Sequence, residues 1–154
     1  MTVQLCEVIE GDQYVLADLR VSAMRESLEA LGRFDPDRAR SRFLDRFLPA
    51  DTQKIVIDDV VAGFYVVRIT PSHLQLDHFY LHPDFQGNGV GGEVLARIKA
   101  QSAERQLPIR LGALRESRAN DFYRKHGFVK TGEDEWDIYY QFSTNDLVKK
   151  TKEC

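Results

Sequence analysis

The sequence predicts an α/β domain with a mixed central sheet of about seven strands flanked by about four helices. Three observations carry that prediction. β-branched runs interleave with segments whose apolar residues recur at helical spacing. A strand, an amphipathic helix and another strand follow one another across residues 74–114, the βαβ step that makes part of a sheet parallel. A chain of 154 residues supplies core for one such domain and leaves little for a second.

Val3 to Ile9 reads as the first strand. Asp12 then stands where a cap belongs, ahead of a long helix that carries Leu16, Leu19, Ala23, Met24, Leu28 and Leu31 on one face until Gly32 stops it. Asp35-Pro36, a cap followed by proline at the first helical position, opens a second helix carrying Phe43, Leu44, Phe47 and Leu48 and ending before Pro49. Lys54 to Ile57 and Val60 to Ile69 are β-branched runs joined by Asp58-Asp59, an antiparallel hairpin in which Gly63 is placed to form a bulge. Leu74 to Leu81 extends the meander. From Gly89 to about Glu104, Val90, Val94, Leu95 and Ile98 form one helical stripe, and Ile109 to Leu114 reads as a strand after Pro108. A short helix from Ala119 to Lys125 ends at His126-Gly127, and strands near Phe128 to Thr131 and Trp136 to Phe142 complete the order. No repeat, low-complexity stretch or linker interrupts it, so residues 1–142 read as one domain and 143–154 as a C-terminal tail.

Composition narrows the function classes. Hydrophobic residues at 43% and charged residues at 29% are ordinary globular values. Lys plus Arg total 21 against 24 Asp plus Glu, a net charge of -3, which is too balanced for a protein that binds nucleic acid mainly through counterion release. Cys6 and Cys154 match neither a zinc spacing nor a disulfide framework, which makes a reducing cytoplasm the expected compartment. The N-terminus, with Glu7, Glu10 and Asp12, lacks the basic flank and apolar stretch of a signal peptide. The longest mostly apolar run, Val60 to Val67, is too short to span a bilayer. No nucleic-acid or membrane partner is expected.

The most informative segment is Asp84-Phe85-Gln86-Gly87-Asn88-Gly89-Val90-Gly91-Gly92, between a strand and an amphipathic helix. It places bare backbone N–H groups at a helix N-terminus, where phosphate or pyrophosphate is the natural guest. A dinucleotide fingerprint is literally present as Gly87, Gly89 and Gly92, but no acidic residue stands at the next strand's end and only one βα repeat follows. A P-loop fails because Glu93-Val94 occupy the positions that need Lys and Ser or Thr. A turn serving chain reversal alone does not require this many glycines.

At this segment the sequence resembles the GNAT superfamily of acyl-CoA-dependent N-acetyltransferases. Phe79-Tyr80-Leu81-His82-Pro83-Asp84-Phe85-Gln86-Gly87-Asn88-Gly89-Val90-Gly91 is similar to the family's strand-to-loop segment with its Gln/Arg-x-x-Gly-x-Gly/Ala signature, Gln86, Gly89 and Gly91 holding the defining positions. Ala119-Asn120-Asp121-Phe122-Tyr123-Arg124-Lys125-His126-Gly127-Phe128 resembles the family's Ala-x-x-x-Tyr-x-x-x-Gly-Phe segment. The order of elements matches too. Many members carry Asn three residues before the alanine, where this chain has Glu116.

The resemblance implies a GNAT-like fold and an acyltransferase that moves an acetyl group from acetyl-CoA directly to a primary amine, with no metal and no covalent enzyme intermediate. It implies that the loop from Gln86 through Gly87, Asn88, Gly89, Val90 and Gly91 to Gly92 binds the CoA pyrophosphate through main-chain N–H groups. The backbones of Phe79 and Leu81 would pair with the pantetheine, and Asn120 or Ser117 would take the contact usually credited to the missing Asn. Tyr123 matches the family's proton donor to the departing thiolate. Because a primary amine is almost entirely protonated at pH 7, a base is also needed, and Asp77 and His78 on the third meander strand are the candidates, directly or through water. Strict alternation puts Asp77 with Phe79 and Leu81, and His78 with Leu76 and Tyr80, and a bulge of the kind the family often has here changes that assignment. A cysteine nucleophile at Cys6 or Cys154 is the weaker alternative. His82 and Pro83 shape the turn, His73 shows no partner, and His126 sits at a helix end where positive charge suits the dipole.

In the family the first two helices and the last hairpin wall the acceptor site. Here they supply Arg42, Phe43, Phe47 and the run Glu133-Asp134-Glu135-Trp136-Asp137, whose acids read either as bait for a cationic amine or as a solvated hairpin tip. The acceptor is thus a small-molecule amine or a protein amino group. A homodimer is expected from the habit of the family alone. The competing class is a non-catalytic acyl-CoA-binding module.

Overall fold

The computed structural model describes residues 2–143; Cys154 and the rest of the expected tail, 144–154, lie outside the described residues. In chain order the elements are β1 (Val3–Glu7), α1 (Gln13–Ala30), α2 (Pro36–Asp45), β2 (Thr52–Ile57), β3 (Val60–Ile69), β4 (Leu74–Leu81), α3 (Val90–Arg105), β5 (Ile109–Leu114), α4 (Arg118–Lys125), β6 (Val129–Glu133) and β7 (Asp137–Phe142). The strands form a seven-stranded sheet in the order β1-β2-β3-β4-β5-β7-β6. Pairing is antiparallel for β1–β2, β2–β3, β5–β7 and β6–β7. It is parallel for β4–β5, through Leu74↔Ile109 and Gln75↔Arg110, as a helical crossover requires.

The chain packs as two compact units, one made of the residues up to Val67 with His78–Gly91, the other of Arg68–Asp77 with the residues from Gly92 onward. In the first unit Leu16, Ala17 and Leu19 of α1, Phe43 of α2, Phe64 and Val66 of β3, and Val8 form one buried cluster. Burial of each large side chain there contributes about 1.5–3 kcal/mol. Asp35 caps α2 as its position predicts, Oδ1 accepting from Arg38 N at 3.1 Å, with Pro36 at the first helical position. The helix stops at Asp45, earlier than the apolar pattern suggests. Arg46 and Phe47 turn their N–H groups to carbonyls only three residues back, and Leu48, preceding Pro49, is extended.

Asp12 departs from expectation as well. It occupies the N-cap of α1 but makes no capping bond. Its Oδ2 instead accepts from Ile9 N at 3.0 Å and from Lys54 Nζ of β2 at 2.9 Å. Those two donors hold the carboxyl below its ordinary pKa, the Ile9 N–H first and Lys54 second. Asp58 and Asp59, at φ 49° and 65°, make the left-handed pair that a two-residue hairpin demands. The bulge in β3 falls on Ala62, which lies between the pairs Ile55↔Gly63 and Val56↔Val61. Gly63 serves a different need, since a Cβ on it would lie 2.1 Å from the Tyr80 carbonyl oxygen.

In the second unit Val94, Leu95 and Ile98 of α3 are fully buried. β5 alternates, with Ile109, Leu111 and Ala113 buried and Arg110 and Gly112 exposed. Tyr123 of α4 meets Phe128 at 5.3 Å between ring centroids, and Phe128 meets Phe142 of β7 at 5.5 Å. Gly127, at φ 88°, ends α4 where the sequence puts a stop.

Candidate functional site

The glycine loop grows out of the end of β4 in the first unit. His82 donates its N–H to Ala62 O at 2.7 Å, and its Nδ1 accepts from Asp84 N at 3.1 Å, so this histidine shapes the turn through Pro83–Phe85. Gln86 then donates Nε2 to Leu81 O at 2.9 Å, bracing the loop against its own strand. Gly87 and Gly89 lie at φ 83° and 79°, a backbone that favours glycine, and a Cβ on either would meet nothing within 4 Å. The main chain is therefore bare and open to solvent just ahead of α3, with the helix's partial positive charge behind it. Val90, the first residue of α3, is buried. Gly92 has a packing role, because a Cβ there would come within 3.0 Å of the His126 ring in the second unit.

The two base candidates take different surroundings. Asp77 is exposed and joined to Arg68 Nε and Nη2, the latter at 3.3 Å. His78 is half-buried, edge-on to Phe43 at 5.5 Å and near Phe64 at 6.4 Å, and its Nδ1 lies 3.1 Å from Tyr80 Oη. Phe79 meets Tyr65 instead, so His78 and Tyr80 share a face that Phe79 does not. Arg20 of α1 reaches Tyr80 Oη at 3.4 Å and also donates to Ala39 O of α2. Sequence reasoning found His78 but not Tyr80 or Arg20. The two-residue spacing on β4 signals Tyr80, whereas nothing local signals Arg20.

On α4 of the second unit, Tyr123 is buried against Phe122, Phe128 and Tyr140. Asn120 is buried and fully used within the protein: Nδ2 donates to Leu114 O at 2.9 Å and Ser117 O at 3.0 Å, and Oδ1 accepts from Tyr140 Oη at 2.8 Å. Its amide thus secures the β5–α4 turn. Glu116, in that turn, holds φ 65°. His126 differs from the charged helix-end group expected of it. Burial first, then Lys99 and Lys125, push its pKa down and favour the neutral ring. Lys99 itself donates to His126 O and lies 4.5 Å above the Phe142 ring. His73 has partners after all, in Thr70, Ser72 and Gln75.

At the acidic hairpin tip Glu133 and Asp134 are engaged within the protein. Asp134 Oδ1 accepts from Trp136 N and Asp137 N at 3.0 and 2.8 Å, Oδ2 accepts from Tyr139 Oη, and Glu133 pairs with Arg115 at 2.7 Å and Lys130 at 3.1 Å. These donors hold both carboxyls below their ordinary pKa values, Tyr139 leading for Asp134 and Lys130 for Glu133. A surface cavity of ≈ 250 Å³ beside Arg110, Thr131 and Tyr139 contains none of the sequence-predicted site residues. Among the described residues no group of His, Cys, Asp and Glu is arranged to hold a metal ion. No helix there is long and apolar enough to cross a membrane.

A seven-stranded mixed sheet with a glycine turn feeding a helix is the α/β architecture that the family resemblance implies. Residues 47–130 match the family model described as the acetyltransferase (GNAT) domain, and the chain belongs to that family. The fold is similar to that of the PaiA N-acetyltransferase from Thermoplasma acidophilum in complex with coenzyme A, at 16% identity and a TM-score of 0.73 over 93% of this chain and 99% of that one. It is similar also to a GCN5-related N-acetyltransferase from Rhodopseudomonas palustris, at 20% identity and a TM-score of 0.74 over 93% and 96% of the two chains. An acetyltransferase from Thermus thermophilus aligns at 15% identity and a TM-score of 0.73 over 93% and 97%. No curated protein matches the sequence.

Proposed function

We propose that the protein is an N-acetyltransferase that uses acetyl-CoA as co-substrate and a primary amine as acceptor, working in the cytoplasm. The observation that carries this reading is the turn at Gly87 and Gly89, whose positive φ and open surroundings leave an exposed glycine backbone just ahead of α3. A pyrophosphate fits such a turn. Gln86 keeps the turn in place, and the backbones of Phe79 and Leu81 extend the seat along β4. Bound acetyl-CoA supplies a thioester carbonyl for attack.

His78 takes the amine proton, directly or through a water, leaving a lone pair on nitrogen to form the new amide bond. Asp77 is the poorer candidate because Arg68 already engages both of its carboxyl oxygens. Tyr123 gives a proton to the sulfur as the carbon–sulfur bond breaks. Asn120 supports this geometry from within the protein, holding the turn that leads into α4.

Calorimetry with acetyl-CoA tests the seat: the native protein binds and Gly89→Trp does not. Absence of binding by the native protein refutes both the enzyme and the non-catalytic acyl-CoA-binding module. Free-thiol release over an amine panel separates those two classes, and Tyr123→Phe is expected to lower turnover at least 10-fold without changing acetyl-CoA affinity. Unchanged turnover removes Tyr123 from the acid role.

A further inference from the structure

The sign of the free charge beside α2 runs opposite to the sign that the hairpin tip suggests. Arg38, Arg42 and Arg46 stand four residues apart, all exposed. Among the described residues none of the three guanidinium groups has an ion-pair or hydrogen-bond partner. They flank the buried pair Ala39 and Phe43 on the side away from Arg40, which is the arginine that turns to α1 and pairs there with Asp18 at 3.1 Å. Asp35 is consumed as the cap, Asp37 lies in the first turn, and Asp45 is the carboxylate adjoining the stripe. Between Arg33 and Arg46 five arginines face three aspartates, inside a chain whose net charge is -3.

Helix electrostatics explains part of this pattern. A cation at Arg42 or Arg46 suits the C-terminal end of α2, but Arg38 sits in the first turn, where the helix end is already positive and a third unpaired cation is unfavourable. Four residues along a helix advance about 6 Å. Alternate residues of an extended peptide advance about 6.6 Å. Three guanidinium groups at this pitch match carboxylates on one edge of a single extended segment, and their span exceeds what one small carboxylate needs.

We propose that this stripe is a docking surface for an acidic polypeptide segment, so that the acceptor amine is carried by a protein or peptide with Asp or Glu residues beside it. This rests on the acetyltransferase reading and names its acceptor class.

Two measurements on the full chain test it. Fluorescence anisotropy with a labelled lysine peptide flanked by alternating glutamates reads docking whether or not the protein is an enzyme. Binding is expected to weaken at least 10-fold in the Arg38→Glu/Arg42→Glu/Arg46→Glu variant, and several-fold between 50 and 300 mM salt, as solvent-exposed charge pairs do. Thiol release with the same peptide and its lysine-flanked counterpart should favour the acidic one in KM and reverse in the variant, with KM for acetyl-CoA unchanged. Equal binding of both peptides, binding indifferent to the triple substitution, or a single-stranded oligonucleotide outcompeting the acidic peptide overturns the proposal. If acetyl-CoA does not bind while the acidic peptide does, the acetyltransferase reading fails and the docking surface stands.

Discussion

Replacing Gly63 with alanine should be among the most damaging single-methyl changes in the first unit. The added Cβ would lie 2.1 Å from the Tyr80 carbonyl oxygen, 3.0 Å from Leu81 Cδ2 and 3.1 Å from Leu81 Cα. The Leu81 methyl can rotate aside, but the carbonyl is backbone. Even a tight contact therefore requires β3 and β4 to part by about 1 Å. That separation falls where Ala62 O accepts its 2.7 Å bond from His82 N. Losing one or two such bonds, together with the strain of overpacking, costs about 3 kcal/mol. The backbone entropy that alanine saves in the unfolded chain offsets about 0.5–1 kcal/mol of it. For a domain of this size the net penalty lowers Tm by roughly 4–10 °C. Scanning calorimetry reads the shift, and urea unfolding checks that the m-value is unchanged. On the proposed function acetyl-CoA affinity falls as well, since the displaced backbone is that of Tyr80 and Leu81. A Gly63→Ala protein that melts within 2 °C of the native one would refute the close strand approach, with 2 °C taken as about 0.5–1 kcal/mol.

Three further outcomes follow from other parts of the fold. Glu116 holds φ 65°, so Glu116→Gly or Glu116→Asn should stabilise the protein by about 1 kcal/mol and raise Tm by a few degrees, measurable by the same calorimetry. Tyr140→Phe leaves Asn120 Oδ1 buried without its 2.8 Å donor and should cost about 1–3 kcal/mol in denaturant unfolding. His126 has a folded pKa below its unfolded value of 6.5, so the unfolded chain takes up the proton first as pH falls. Stability should therefore drop below about pH 6.5, before the depressed carboxyls of Asp12, Asp134 and Glu133 begin to act near pH 4. In a pH series of urea midpoints, His126→Gln should flatten the upper window and leave the lower one in place.

How far the sequence was legible depended on how local each cause was. The limits of β4 and β5 could be read to the residue, because each is a short apolar run bounded by proline or a tight turn. The Asp35-Pro36 cap was legible for the same reason, since its partner Arg38 N lies three residues away. The end of α2 was not. Phe47 continues the apolar rhythm and packs on the core, but after the helix has ended. Periodicity reports burial rather than backbone hydrogen bonding. Asp12 was drawn off its cap by two donors, the Ile9 N–H three residues back and Lys54 of β2, and only the first is local. The charge state of His126 is governed first by burial and then by Lys99, 27 residues earlier in the chain. Of the site, the loop could be read because glycine itself is the signal. The Arg20–Tyr80–His78 chain is only half legible, because its first member lies 60 residues from its second.

The contacts of α3 with His126 also have a genetic meaning. Gly92 leaves room for the ring and Lys99, two helical turns on, donates to the same residue's carbonyl. Positions 92, 99 and 126 should therefore tolerate change only together: a larger residue at 92 is expected to need a smaller one at 126, and loss of the lysine another donor at the end of α4. A suppressor screen begun from a defect at Gly92 would be expected to return changes three residues from Tyr123 rather than in the glycine turn.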